Sequence, residues 1–125
     1  MPTWDAVCDV AGALPETALD TGVENPAWRV RGKVFVRRNG RLRVPEEAAL
    51  RAARGEFVAV YVDREEKELL TRQEPQTFFV TPHWQSGPFV LVWLDTVAPG
   101  LLRELVLDAW RARAPKRLAR RLDGA

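Results

Sequence analysis

The sequence predicts one α+β domain, an antiparallel sheet built from two β-hairpins and flanked by helices towards its N- and C-terminal ends. Three observations carry this reading. At 125 residues the chain has the length of a single domain able to bury a core. Apolar residues recur three to four apart near both ends, from Trp4 to Leu14 and from Leu101 to Trp110, the spacing of an inward helical face. Between them, β-branched and aromatic runs are punctuated by Gly, Pro and Asn, as strands and turns are. The 46% hydrophobic fraction, with five Trp and five Phe, supplies the apolar area that offsets ordering entropy.

Thr3 caps a first helix over 4–13, with Trp4, Val7, Cys8, Ala11 and Leu14 inward, and Pro15 stops it. A polar link follows. Ala27 to Arg31 and Lys33 to Arg38 read as the first hairpin, turning at Arg31-Gly32. Its register stays open: a two-residue loop sets Trp28 opposite Phe35, and a three-residue loop sets Trp28 opposite Val36 and Val30 opposite Val34. Asn39-Gly40 is a second turn signal, leading into Arg41 to Val44. Pro45 and "EEAALRAAR" form a short helix ending at Gly55, and Glu56 to Val62 a third strand. Asp63 and Glu66 have capping-box spacing before "REEKELLTRQ", a helix with only Leu69 and Leu70 as strong apolar contacts and therefore largely in solvent. Phe78 to Val80 and Phe89 to Leu94 make the second hairpin around the turn-rich stretch 81–88. Pro99 starts a long helix whose Leu101, Leu102, Leu105, Val106, Ala109 and Trp110 face inward, leaving Arg103, Arg111 and Arg113 mostly outside; Pro115 restarts a basic turn, "KRLARRL", anchored by Leu118 and Leu122.

Composition excludes several chemistries. One Cys and one His fall short of the three or four ligands of a zinc site, and a lone Cys8 on an apolar helical face reads as a buried small hydrophobe. Neither a Walker phosphate loop nor G-x-G-x-x-G occurs, and the acids at 63–68 read as a solvated helical face. An enzyme, a cofactor and a metal are not expected. The N-terminus lacks a basic patch followed by an apolar core, and no apolar run reaches membrane length, so the expected location is the cytoplasm.

Charge is segregated. Net charge is only +2, yet residues 1–27 hold five acids and no base, residues 28–43 hold seven bases and no acid, and residues 103–121 hold seven bases against Glu104 and Asp108. Guanidinium groups on β-ribbons beside aromatics suit an anionic polymer, because their forks bind phosphate and tryptophan faces stack on bases. The plain alternative is that these arginines wet the outer face of a half-buried sheet. For His83 and Trp84 the alternatives are a turn whose tryptophan closes one end of the core, or a tip that touches ligand.

The stretches "TWDAV" near the start, "ALPET" at 13–17, "PAWRVRGKVFV" at 26–36, "FFVTPHW" at 78–84, "GPFVLVWLD" at 87–95 and "LLRELVLDAWRARAPKRL" at 101–118 together resemble the MmcQ/YjbR family, nearly end to end. The resemblance implies a small α+β domain of the double-wing kind and a DNA-binding role assigned by fold analogy, with no catalytic residue attached. One departure is the segment 40–55, longer than the family pattern; a helix there that covered the first hairpin would screen Arg37 to Arg43 more than Arg29, Arg31 and Lys33.

The expectation is therefore a non-enzymatic, monomeric nucleic-acid-binding domain, with duplex DNA as partner. Phosphate contacts would come from Arg29, Arg31, Lys33, Arg37, Arg38, Arg41, Arg43, Lys116, Arg117, Arg120 and Arg121, with His83 and Trp84 assisting. This requires the two basic clusters to share one face. The alternative is a protein-interaction or small-ligand module in which the 81–88 turn and the helix carrying Trp110 border a cleft or dimer patch.

Overall fold

A computed structural model describes residues 2–21, 25–38 and 45–122; the side chains of Glu46, Glu47, His83 and Leu122 fall outside that description. The Asn39-Gly40 turn and the 41–44 return, with Arg41 and Arg43, therefore lie outside the described residues. Helix α1 (Trp4–Gly12) begins where Thr3 Oγ1 accepts the Ala6 N–H at 3.4 Å, and it buries Trp4, Val7 and Ala11. Strand β1 (Thr17–Asp20) occupies what reads as a polar link in the sequence. Its four residues contain no buried position, so no alternation announces it; what makes it a strand is pairing with the next one.

Strands β2 (Ala27–Val30) and β3 (Lys33–Arg38) form the first hairpin. Arg31 and Gly32 both take positive φ, +51° and +81°, the pattern of a type I′ turn whose twist matches that of the strands. The register resolves into both alternatives at once. Near the turn Val30 faces Lys33 and Arg29 faces Val34, as a two-residue loop requires; beyond it Trp28 faces Val36 and Ala27 faces Arg37. Phe35 is the extra residue of a β-bulge, which lets Phe35 and Val36 both be fully buried.

Helix α2 (Pro45–Arg54), β4 (Phe57–Tyr61), α3 (Arg64–Gln73) and β5 (Phe78–Phe79) follow, then a 3-10 turn over Pro82–Trp84, β6 (Phe89–Trp93), α4 (Pro99–Arg113) and α5 (Lys116–Leu122). The strands make one antiparallel sheet in the order β1-β2-β3-β4-β6-β5. Both hairpins thus belong to a continuous sheet, with β4 between them.

Alternation sorts the sheet into two cores. On one face Val36, Val58, Val60, Val90 and Val92 meet α1 and α4 through Val7, Leu102, Leu105, Val106 and Trp110. On the other, Phe57, Ala59, Leu91 and Trp93 are covered by Leu50 of α2 together with Phe79, Trp84 and Phe89. Burial on both faces is why β4 and β6 read as unbroken apolar runs. Trp110 is fully buried and its Nε1 donates to the Pro15 carbonyl at 3.2 Å, so it borders no cleft. On α3 the expectation of Leu69 as an apolar contact fails: Leu69 is exposed, and the buried residue is Lys67. Among the described residues no helix is long and apolar enough to cross a membrane.

Candidate nucleic-acid interface

The second face is covered only in part. Arg37 lies opposite Ala59 in the ladder and Ala27 opposite Arg37, and directly opposed residues share a face, so Arg37 and, two residues from Ala27, Arg29 project on the same side as Phe57 and Leu91. Where α2 and the 3-10 turn stop, a groove of about 290 Å³ opens, lined by Arg29, Lys33, Val34, Arg37, Trp84, Phe89 and Arg113, with Gly32 at its edge. Four cations line it, and among the described residues no carboxylate does.

Each cation is held differently. Arg29 Nε donates to Asp20 Oδ2 at 2.8 Å and its NH1 to the Gly32 carbonyl at 2.8 Å. Arg37 NH1 donates to the Asn25 carbonyl at 3.2 Å. Arg113, read from sequence as outward-facing, is half-buried: its Nε donates to the Val34 carbonyl at 3.0 Å and its guanidinium sits 4.5 Å from the Tyr61 ring centroid. Lys33 is exposed and has no ion-pair partner among the described residues. A chain of edge-to-face rings continues from Tyr61 to Phe89 (5.7 Å) and from Phe89 to Trp84 (5.5 Å), so an aromatic wall faces the cationic one.

Trp84 is placed by a residue that sequence reading missed. The Lys67 ammonium donates to the carbonyls of Trp84, Gln85 and Gly87 at 2.7, 3.2 and 2.6 Å, satisfying three backbone acceptors with its three hydrogens. Burial, and then the Arg64 charge, draws its pKa below the usual lysine value. His83 stands in the 3-10 turn between Pro82 and Trp84; its side chain lies outside the described residues.

A second basic group lies on the other side of the β2–β3 turn. Arg31, Arg117 and Arg121 surround Glu16 in a depression closed by Pro115 and Leu118. Arg31 makes a two-point pair with Glu16 (2.7 and 3.1 Å), and Arg121 approaches the same carboxylate at 3.8 Å. The hydrogen bond from Arg31 holds the Glu16 carboxyl below the ordinary glutamate range, and the same bond raises Arg31. Lys116 and Arg120 are exposed on α5, with Arg120 Nε donating to the Lys116 carbonyl at 3.4 Å. Arg38 is separate from both groups, paired with Glu56, whose carboxylate also lies 3.7 Å from Arg51. The two depressions flank one turn, because Gly32 and Lys33 line the first and Arg31 the second.

Among the described residues, the extra helix meets this hairpin at Arg51, which lies 3.7 Å from the Glu56 carboxylate that pairs with Arg38. Leu50 packs with the Phe57–Trp93 cluster, and Arg54 lies over the Trp93 ring at 4.3 Å while pairing with Asp95, so α2 covers the β4–β6 side. Away from the sheet, α1 and α4 enclose an apolar groove of about 270 Å³ lined by Pro2, Ala6, Val10, Pro99 and Leu102, with Arg103 at its rim. Among the described residues no group of three His, Cys, Asp or Glu is placed to hold a metal ion.

Comparison with known proteins agrees on the family. The YjbR family model matches residues 12–112. The uncharacterised proteins Mb2600 of Mycobacterium bovis and Rv2570 of Mycobacterium tuberculosis are each 37% identical over 123 residues, covering 94% of this chain and 93% of theirs. The crystal structure of Deinococcus radiodurans protein DR2400, a DUF419 domain, superposes with a TM-score of 0.70 at 21% identity, over 90% of this chain and 78% of that one. The chain belongs to the YjbR family.

Proposed function

We propose that the protein is a non-catalytic nucleic-acid-binding domain. The observation behind this reading is the groove at the β2–β3 hairpin, where Arg29, Lys33, Arg37 and Arg113 gather beside Trp84 and Phe89 with no acid among the described lining residues. Such forks and ammonium groups bind phosphate, whereas Arg117 and Arg121 stand apart from this groove, around Glu16 on the other side of the turn. Ion pairing to Asp20, Glu16 and Glu56 lowers the share of Arg29, Arg31, Arg38 and Arg121, so Lys33, Arg113 and Arg117 carry more of the attraction. Phosphate contacts give little sequence discrimination. A protein with this role works where nucleic acid is, and we place it in the cytoplasm as a monomer.

The test is fluorescence anisotropy with labelled DNA in single-stranded and duplex form over a range of salt. Binding should weaken with a log-log slope of about 0.7 to 0.9 per neutralised phosphate. Lys33→Glu with Arg117→Glu should cost about tenfold or more in affinity and reduce that slope. No binding of either form at low salt removes the reading. The apolar groove between α1 and α4 favours a second reading, a self-association surface; a monomer by light scattering at high concentration removes that one.

A further inference from the structure

We propose that the groove takes an unpaired nucleotide of a single strand and not the backbone of an intact duplex, an inference that rests on the nucleic-acid reading above. A two-stranded ribbon reads duplex DNA by entering a major groove about 12 Å wide, which requires the ribbon to stand clear of its neighbours. The β2–β3 ribbon does not. β1 pairs along β2 as far as Val30, and β4 pairs along Val36 to Arg38. The remaining free edge of β3 is taken by Arg113, whose Nε donates to the Val34 carbonyl.

What the sheet offers is a recess with two unlike walls. Trp84 and Phe89 make one, and Arg29, Lys33, Arg37 and Arg113 the other. A base within a duplex is stacked on both sides and cannot place its face against the aromatic wall. An unpaired base can, with its own phosphate reaching the cations opposite. The aromatic wall is set before any ligand arrives, because Lys67 ties the Trp84, Gln85 and Gly87 carbonyls to α3 and Phe89 braces the indole edge-to-face. Such preorganisation lowers the ordering cost of binding.

The deciding measurement uses the unaltered protein. Labelled oligothymidylate and the same strand annealed to oligoadenylate are compared by anisotropy at one low salt concentration; the single strand should bind at least about tenfold tighter. Trp84→Leu, with its fold checked by circular dichroism, should lose about tenfold for the single strand and so narrow its preference over the duplex, while Trp84→Phe keeps most of the affinity. Equal affinity for the two forms, or a duplex preference, overturns this inference and leaves the nucleic-acid reading standing. No binding of either form removes both.

Discussion

Two residues of the described chain other than glycine hold positive φ, Glu16 at 54° and Arg31 at 51°, and they are bound to each other through the two-point pair. A left-handed arginine is disfavoured because its Cβ crowds the following carbonyl, and in a type I′ turn Asn followed by Gly is the preferred dipeptide. Arg31→Asn should therefore raise Tm by a few degrees, since the exposed ion pair it removes contributes little. The same change should alter the pH response. Glu16 has a folded-state pKa below its unfolded value, so its contribution is complete above the ordinary glutamate pKa and is lost as pH falls through the depressed one. Thermal melts on acidification should show that decline in the native sequence and a flatter curve in Arg31→Asn. A variant that melts lower at neutral pH would refute the turn-strain argument, and one that keeps the full acid decline would refute the assignment of that decline to the Glu16–Arg31 pair.

Helix α3 and the 3-10 turn are one unit, because the Lys67 ammonium bridges the backbone carbonyls of Trp84, Gln85 and Gly87. Lys67→Met keeps the apolar stem and removes the donors from carbonyls that are only part-buried, of which that of Trp84 still accepts the Gly87 N–H at 3.3 Å, at a cost of about 1 kcal/mol. Urea denaturation should show a lower midpoint with an unchanged slope, and an unchanged midpoint would mean that water replaces the ammonium. Elements with a local signal were legible in the sequence. Thr3 and Asp63 announce helix starts that the structure caps with their side-chain oxygens, and the apolar runs of β4 and β6 announce strands. Elements defined by a distant partner were not. β1 has no periodicity of its own, the bulge at Phe35 satisfies two competing registers, and Lys67 looks like any solvated lysine until the 81–88 turn folds over it. The candidate site shows the same division. Arg29 and Lys33 stand out as a local cluster, whereas Arg113 joins them only because α4 ends beside Val34.

At the scale of the molecule, the sheet order places β4 at the point where both halves meet, with β3 on one side and β6 on the other. Its residues Phe57 to Val60 are all fully buried, alternating between the two cores. Opening β4 therefore means parting two ladders and exposing both apolar layers together, which amounts to global unfolding. β1 and β5 differ: each is an outermost strand with one neighbour, one four residues long and the other two. Local opening free energy follows the number of buried contacts and ladder bonds that must break. Native-state hydrogen exchange should accordingly find the slowest amides in β4 and β6, exchanging at the global unfolding free energy, with β1 and β5 faster. The β2–β3 hairpin should fall between, its turn end loosest, so that the groove has a firm floor and an adjustable rim. If β1 amides proved as protected as those of β4, the sheet would open as a single cooperative block, and the adjustable rim would be lost with that result.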